Sequence, residues 1–293
     1  MIYQRNLILI GWLLLSTFVW AEYASYVLPA PIPGEYETIL YNKTNKVTVF
    51  AYQGRKDITV IDFPSLAEQG SMFNRAVVLI ESSGSKKKKI LTDTELADHI
   101  QKTGRTAETF AYGNNLTIKE LVMFFNYADN SDIQLNNNEL ALRRYLIDRH
   151  LMRFNQQSFY ESIVPSAIIL SISQITPEDV YPGVDFAARS TVLSHEMSHG
   201  EYSTNKKYRE FCHKFWKDIM TEPQRAAFRK FLSKNDYNPK NENLMVNETQ
   251  AYLMYTPDER AFSPEKVGLS AQEIATLRQK FIAGFPNARP PTF

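Results

Sequence analysis

Runs of β-branched and aromatic residues, bounded by turn-forming residues, predict strands in the first part of the chain. Residues 46–53 (KVTVFAYQ) and 57–63 (DITVIDF) are separated by GRK, which predicts a β-hairpin. Residues 74–81 (NRAVVLIE) form a third apolar run, for which we predict another strand. Residues 166–175 (SAIILSISQI) are apolar almost throughout, which is typical of a buried strand. These segments together indicate a sheet.

Helices are predicted where a capping residue precedes an apolar pattern of helical period. Threonine followed three residues later by glutamate has the spacing of a capping box, and this occurs at Thr92/Glu95 and Thr117/Glu120. A further helix is expected from Glu139 through residue 151, and Asp185 is placed to cap a helix that continues to residue 202. Amphipathic patterns predict three more helices, over residues 208–220, 223–232 and 241–256.

The order of these elements predicts an α+β fold, with a mixed N-terminal sheet region followed by a mainly helical region. The chain has 293 residues and is 44% hydrophobic, enough for one large domain or two modest ones. The YGNN segment near residue 112 is the best candidate boundary, and it would divide residues 22–112 from residues 113–293. A single domain is the alternative.

The charge balance argues against nucleic acid or an anionic membrane as a partner. Lys and Arg total 33 and Asp and Glu total 32, so no field of one sign covers the protein. The basic cluster Lys86–Lys89 follows a glycine between two structured segments, and we interpret it as a solvated loop.

The first residues have the pattern of an export signal. Arg5 precedes about fifteen mostly apolar residues, and Val19 and Ala21 suit a signal peptidase that cleaves before Glu22. We therefore predict a signal peptide over residues 1–21, a periplasmic or secreted protein, and no stable membrane insertion after cleavage. An uncleaved anchor is the alternative, and sequencing the N-terminus of the mature protein distinguishes the two.

The single cysteine and two of the histidines are not predicted to be catalytic residues or metal ligands. Cys212 is the single cysteine, so no intramolecular disulfide forms, and its place in an apolar helical pattern favours a buried thiol over a nucleophile or metal ligand. His99 and His150 fall in predicted helices, where we expect packed or surface histidines and no metal ligands.

The segment TVLSHEMSHGEY contains two histidines four residues apart. On a helix His195 and His199 differ by about 40° in direction and one turn in height, so both rings can reach one metal ion. Glu196 lies about 100° from His195, where it can accept a proton without binding the metal. The alternative is a surface helix that carries this pattern by chance.

A catalytic zinc ion normally takes three protein ligands. In NENLMVNETQAYLMYT, Glu248 shares a helical face with Tyr252, and a carboxylate on an aromatic face suits a metal site better than a core. We therefore predict Glu248 as the third ligand of one Zn²⁺ per chain. A glutamate reaching solvent is the alternative, and His213 is a rival ligand.

HEMSH followed by NETQAY resembles the gluzincin clan of zinc metallopeptidases. The resemblance covers roughly residues 189–256. It implies a zincin-like region, with His195, His199 and Glu248 as ligands and Glu196 as general base. Tyr252 stands where thermolysin-like enzymes have the aspartate that orients a ligand histidine.

The expected chemistry is hydrolysis of an amide bond in a peptide or protein substrate. Glu196 would remove a proton from a water that zinc acidifies and return it to the leaving nitrogen. Tyr252 is our first choice as the donor to the developing oxyanion, ahead of Tyr202, Tyr255 and Arg189. The edge of a strand, 166–175 or 74–81, could bind substrate by β-pairing. A cell-wall amidase and a zinc-stabilised binding protein without activity are the alternatives.

Overall fold

A computed structural model describes residues 26–82 and 89–288 of this chain. The predicted signal peptide, its cleavage site and most of the lysine cluster lie outside the described residues. Within the described ranges, no helix combines the length and the apolar character that a membrane span requires.

The centre of the fold is a five-stranded mixed sheet. Its strands are β1 (Ile32–Gly34), β2 (Thr48–Tyr52), β3 (Ile58–Phe63), β4 (Asn114–Thr117) and β7 (Ile168–Ser173), while β5 (Met152–Phe154) and β6 (Tyr160–Ser162) form a separate antiparallel pair. The five strands of the sheet follow one another in space as β1, β2, β3, β7 and β4. The β2–β3 hairpin is confirmed, and β7 confirms the predicted buried strand. Strand β4 lies at an edge, antiparallel to β7.

Helices cover both faces of the sheet and make up most of the second half of the chain. They are α1 (Tyr36–Leu40), α2 (Leu66–Glu81), α3 (Asp93–Lys102), α4 (Ile118–Asn130), α5 (Asn137–Asp148), α6 (Phe186–Thr204), α7 (Lys206–Lys214), α8 (Glu222–Lys234), α9 (Glu242–Tyr255), α10 (Pro264–Val267) and α11 (Ala271–Gly284). A π-helical turn, Phe215–Ile219, continues α7. The capping boxes that begin α3 and α4 are confirmed, as is the cap of α6 by Asp185.

The strand predicted over residues 74–81 is wrong, because these residues form the second half of α2. The Ser65 side chain accepts a hydrogen bond from the Glu68 backbone amide and thereby begins this helix well before the apolar run. Val77, Val78 and their apolar neighbours then pack into the core from a helix. Capping and burial together outweigh the strand propensity of two adjacent valines.

The two faces of the sheet belong to different parts of the core. In β3, Ile61 and Phe63 pack with the hydrophobic residues of α2 and α4, whereas Ile58 and Val60 pack with Leu193 of α6. Alternation of side chains across a strand produces this division. A third cluster lies among α7, α8, α9 and α11. Helix α6 therefore lies between the sheet and the helical region.

Candidate metal centre

Three predicted ligands meet where α6 packs against α9. His195 Nε2 lies 3.6 Å from one carboxylate oxygen of Glu248, and His199 Nε2 lies 3.5 Å from the other. One ligand atom from each of the three residues falls within 4.8 Å of the others. Donors about 2.0–2.1 Å from a tetrahedral ion are separated by roughly 3.3 Å, so these distances suit a shared metal ion.

Hydrogen bonds orient both imidazole rings toward the shared point. His195 Nδ1 lies 2.8 Å from the Thr256 hydroxyl oxygen, and this hydroxyl donates to the backbone carbonyl of Ala251. His199 Nδ1 lies 2.9 Å from the side-chain oxygen of Asn247. In both pairs the histidine nitrogen is therefore the donor, which leaves Nε2 of each ring unprotonated and available to a metal.

Two of the candidate ligand atoms, His199 Nε2 and Glu248 Oε2, have no hydrogen-bond partner among the described residues. Burial lowers the pKa of His195 to about 3 and that of His199 to about 4, so both rings are neutral near pH 7. Because neutral imidazoles carry no charge, the short distances from both rings to the Glu248 carboxylate do not represent ion pairs. A cation between the lone pairs of His199 Nε2 and Glu248 Oε2 would satisfy them, so the three residues could hold a metal ion.

Glu196 lies beside the cluster without belonging to it. Its Oε2 accepts a hydrogen bond of 3.1 Å from the Asn115 side chain, at the edge strand β4. Burial, and then the charge of Glu248, raise the pKa of Glu196 well above its ordinary value. Gly113 packs directly on this side chain, and a Cβ at this position would clash with Glu196 Oε1. The carboxylate is thus fixed next to the candidate metal site.

The rival ligands are engaged elsewhere. His213 Nε2 lies 2.9 Å from the Tyr202 hydroxyl, and His99 Nε2 lies 2.9 Å from Asp236. Glu201 forms an ion pair with Arg55. Cys212 is a buried free thiol, as predicted, and burial raises its pKa. Among the described residues, the His195, His199 and Glu248 group is the one cluster that could hold a metal.

Of the four predicted oxyanion donors, only Tyr252 lies at the centre. Its ring centroid is 4.8 Å from that of His195. Tyr202 contacts His213, and a hydrogen bond joins Tyr255 to Tyr208. These two residues, together with Arg189, are therefore wrong as candidates for this position. The guanidinium of Arg189 is buried and pairs with Asp62.

Tyr237 is a residue of the site that the sequence pattern did not single out. Burial raises the pKa of Glu248, while the nearby His199 and a side-chain hydrogen bond from Tyr237 oppose this increase. Tyr237 also hydrogen bonds with Tyr252. It lies in the irregular segment between α8 and α9, outside any periodic pattern, so no periodicity in the sequence points to it.

The supporting residues Asn115, Asn247 and Thr256 were also missed. Two of them belong to Asn-x-Thr triplets, as does Asn42, whose side chain donates to Asp62. The position of Asn247 directly before Glu248 was a usable signal, because a polar residue beside a ligand often orients another ligand. The role of Asn115 had no such signal, since it depends on how β4 packs against α6.

A cleft with a volume of about 800 Å³ opens onto His195 and Glu196. Gly113, Asn114 and Asn115 line it, so the edge strand β4 forms part of its wall. The two strand edges proposed from the sequence are wrong, because β7 lies between β3 and β4 and residues 74–81 are helical. Strand β4 provides the open edge beside the centre.

No protein-family model matches this chain, and neither a curated protein nor a solved structure shows significant similarity to it.

Proposed function

We propose that this chain is a zinc-dependent hydrolase of peptide bonds with a zincin-like catalytic region. One observation carries the proposal: Glu196, a buried carboxylate outside the cluster, lies beside three converging ligand residues. Among them, His199 Nε2 and Glu248 Oε2 lack a hydrogen-bond partner among the described residues. Two neutral imidazoles and one carboxylate are a ligand set typical of catalytic zinc. A site that only stabilised the fold would gain nothing from a second buried carboxylate.

When bound, a divalent metal supplies Lewis-acid chemistry, acidifying water and polarising a carbonyl group. In this mechanism Glu196 is the proton carrier. Its raised pKa suits a group that takes up a proton from the attacking water and delivers it to the leaving nitrogen. Asn115 holds one carboxylate oxygen, which leaves the other to exchange the proton.

The hydroxyl groups of Tyr252 and Tyr237 are the donors available to the carbonyl oxygen of the substrate. Both tyrosines line the cleft, and burial raises the pKa of each. They are therefore protonated near neutral pH and can donate a hydrogen bond to a developing oxyanion. Tyr252 is our first choice because its ring packs against that of His195.

The position of β4 supports a peptide as the substrate. An edge strand offers unpaired backbone groups, and an extended peptide can pair with them. Strand β4 holds Glu196 through Asn115, so a peptide paired with β4 would place its backbone amides next to the catalytic carboxylate. This arrangement favours a peptide substrate over other amides.

The decisive test compares Glu196→Gln with the wild-type protein. We expect about one zinc per chain in both, and hydrolysis of a mixed peptide library reduced by a factor on the order of 10² or more in the variant. Glu201→Gln is the matched control, because it removes a carboxylate from the same helix outside the centre.

Three outcomes would contradict the proposal. Normal turnover by Glu196→Gln would remove this residue from the mechanism. Cleavage of cell-wall fragments without cleavage of peptides would indicate an amidase. Zinc binding that chelation reverses, with no hydrolysis of either substrate, would indicate a non-catalytic zinc protein.

A further inference from the structure

A second carboxylate faces the cleft and has no role in the proposed mechanism. Glu81 is the last residue of α2 and lines the cleft together with Tyr237 and Tyr252. Its backbone is tied to the segment that carries Tyr237: the Asn238 amide donates to the Glu81 carbonyl oxygen at 3.0 Å, and Ser82 forms a β-bridge with Tyr237. Glu81 is therefore held in place on the wall of the catalytic cleft.

The surroundings of the Glu81 carboxylate are acidic. Burial raises its pKa, and the charges of Glu248, Glu120 and Glu196 raise it further. Within residues 26–82 and 89–288, no hydrogen bond or ion pair engages this side chain. Arg105 lines the same cleft, but its guanidinium donates to the Phe110 carbonyl and to the Asn235 side chain.

A divalent ion at the centre would not by itself balance the carboxylates around it. Glu81, Glu196 and Glu248 contribute three negative charges when ionised, against two positive charges of the ion. The other basic residues that line the cleft lie at its exposed side: Arg260 pairs with Asp185, Lys266 donates to the Arg260 carbonyl, and Lys234 is exposed. Glu81 is only partly exposed and lies near other carboxylates, so binding of a further cation next to it is favourable. The aromatic rings of Tyr237 and Tyr252 also suit a cationic group.

A second metal ion fits these residues less well than an organic cation. The described residues contain one group with the arrangement of a metal site, and Glu81 does not belong to it. A single carboxylate is a poor metal site but a sufficient partner for an ammonium or guanidinium group. The substrate is the natural source of such a group in a catalytic cleft.

We propose that Glu81 determines specificity by binding a positively charged group of the peptide substrate. The group is either the free α-amino terminus or the side chain of a lysine or arginine, which share this chemistry. The inference depends on the proposed peptide hydrolysis for its substrate, but it concerns a residue outside the metal centre and the proton transfer.

The test uses matched peptides that differ only in charge. One pair has a free or an acetylated N-terminus, and a second pair has lysine or norleucine at one position. The wild-type protein is expected to prefer the charged member of one pair by about 10- to 100-fold in kcat/KM, the value of one charge-assisted hydrogen bond. The pair that shows the preference identifies the source of the charge.

Glu81→Gln is expected to abolish this preference through a higher KM for the charged peptide, with little change for the neutral one. Glu265→Gln is the matched control, because Glu265 also lines the cleft but is exposed. We expect it to keep the preference within about twofold, as for a solvated charge. Calorimetric binding of the same peptides to zinc-loaded Glu196→Gln, with and without Glu81→Gln, measures the selection without turnover.

Equal discrimination by the wild-type protein and Glu81→Gln would overturn the inference. So would a second metal ion per wild-type chain that Glu81→Gln loses, because Glu81 would then be a metal ligand. Absence of hydrolysis of every peptide would refute the proposed function, while the binding measurements would still decide whether Glu81 selects a cation.

Discussion

Helix α6 carries two buried polar clusters that differ in how completely the protein satisfies them. Near its start, the Arg189 guanidinium donates to both carboxylate oxygens of Asp62 and to the backbone carbonyls of Leu40 and Ser173. About two turns later, His195 and His199 face Glu248, and His199 Nε2 and Glu248 Oε2 have no hydrogen-bond partner among the described residues. One cluster is complete within the chain, and the other would be completed by a cation.

The difference predicts a structural role for the first cluster and a metal-binding role for the second. Asp62 lies in β3, so its ion pair with Arg189 fastens α6 to the sheet. Breaking such a pair leaves one buried charge without compensation. If the cluster around Glu248 holds a metal ion, it should stabilise the fold only when the ion is bound, because until then it contains an unsatisfied carboxylate oxygen. Stability and metal affinity should therefore respond to different substitutions.

The largest effect is expected for Asp62→Ala. It leaves Arg189 buried and unpaired, so the free energy of unfolding should fall by about 3–5 kcal/mol with or without metal. Chemical denaturation of the metal-free protein measures this loss. Asp148→Ala is the control, because it removes an exposed ion pair with Arg144 and should cost less than about 1 kcal/mol. A loss below about 1 kcal/mol for Asp62→Ala would refute the structural role.

Glu248→Gln should produce the opposite pattern. Metal affinity should fall by a factor on the order of 10² or more, because the anionic ligand is lost. The metal-free protein should be as stable as the wild type or more stable by about 1 kcal/mol, since a buried carboxylate without full partners is removed. Competition with a chelating dye measures the affinity, and thermal unfolding measures the stability.

Glu201→Gln is the control for that comparison, because Glu201 pairs with Arg55 at the surface of the same helix. If Glu201→Gln empties the site while Glu248→Gln leaves it filled, the third ligand is misassigned. A marked destabilisation of metal-free Glu248→Gln would mean that the two clusters play the same structural role.

The smallest effect is expected for Asn247→Ala. This change removes the acceptor that orients His199, so metal affinity should fall by about 10- to 100-fold while a metal ion still binds. Asn243→Ala is the control, one turn earlier on α9, where the side chain accepts from the Tyr202 hydroxyl. Equal affinities of these two variants for zinc would show that Asn247 does not orient the ring.

The spacing of the ligands within each helix could be predicted from the sequence. His195 and His199 share one face of α6 because four residues correspond to about one helical turn. Glu248 stood out as a carboxylate on an aromatic face of α9. The hairpin of β2 and β3 and the capping boxes of α3 and α4 were predictable for a similar reason. Each depends on residues no more than about fifteen positions apart.

Contacts between distant segments required the tertiary structure. Whether 74–81 formed a strand or a helix depended on the core that Val77 and Val78 enter. The edge strand that holds Glu196 depended on the order of the strands, which places Asn115 beside α6, 81 residues away in sequence. Arg189 lies on the same helix as the two candidate histidine ligands, but its partner Asp62 is 127 residues away in sequence. The helical pattern alone therefore could not show that Arg189 pairs with the sheet and not with the site.

The sequence by itself therefore determined the local chemistry of this protein: the two histidines on one helical face, the glutamate between them and the acidic residue on a later helix. Only the tertiary structure decided which of these groups remain unpartnered and which side chains surround them. The physical reason is the distance along the chain over which each effect acts, because helical periodicity and capping involve residues only a few positions apart. Burial, desolvation and the pairing of charges are set by segments that meet only when the whole chain has folded.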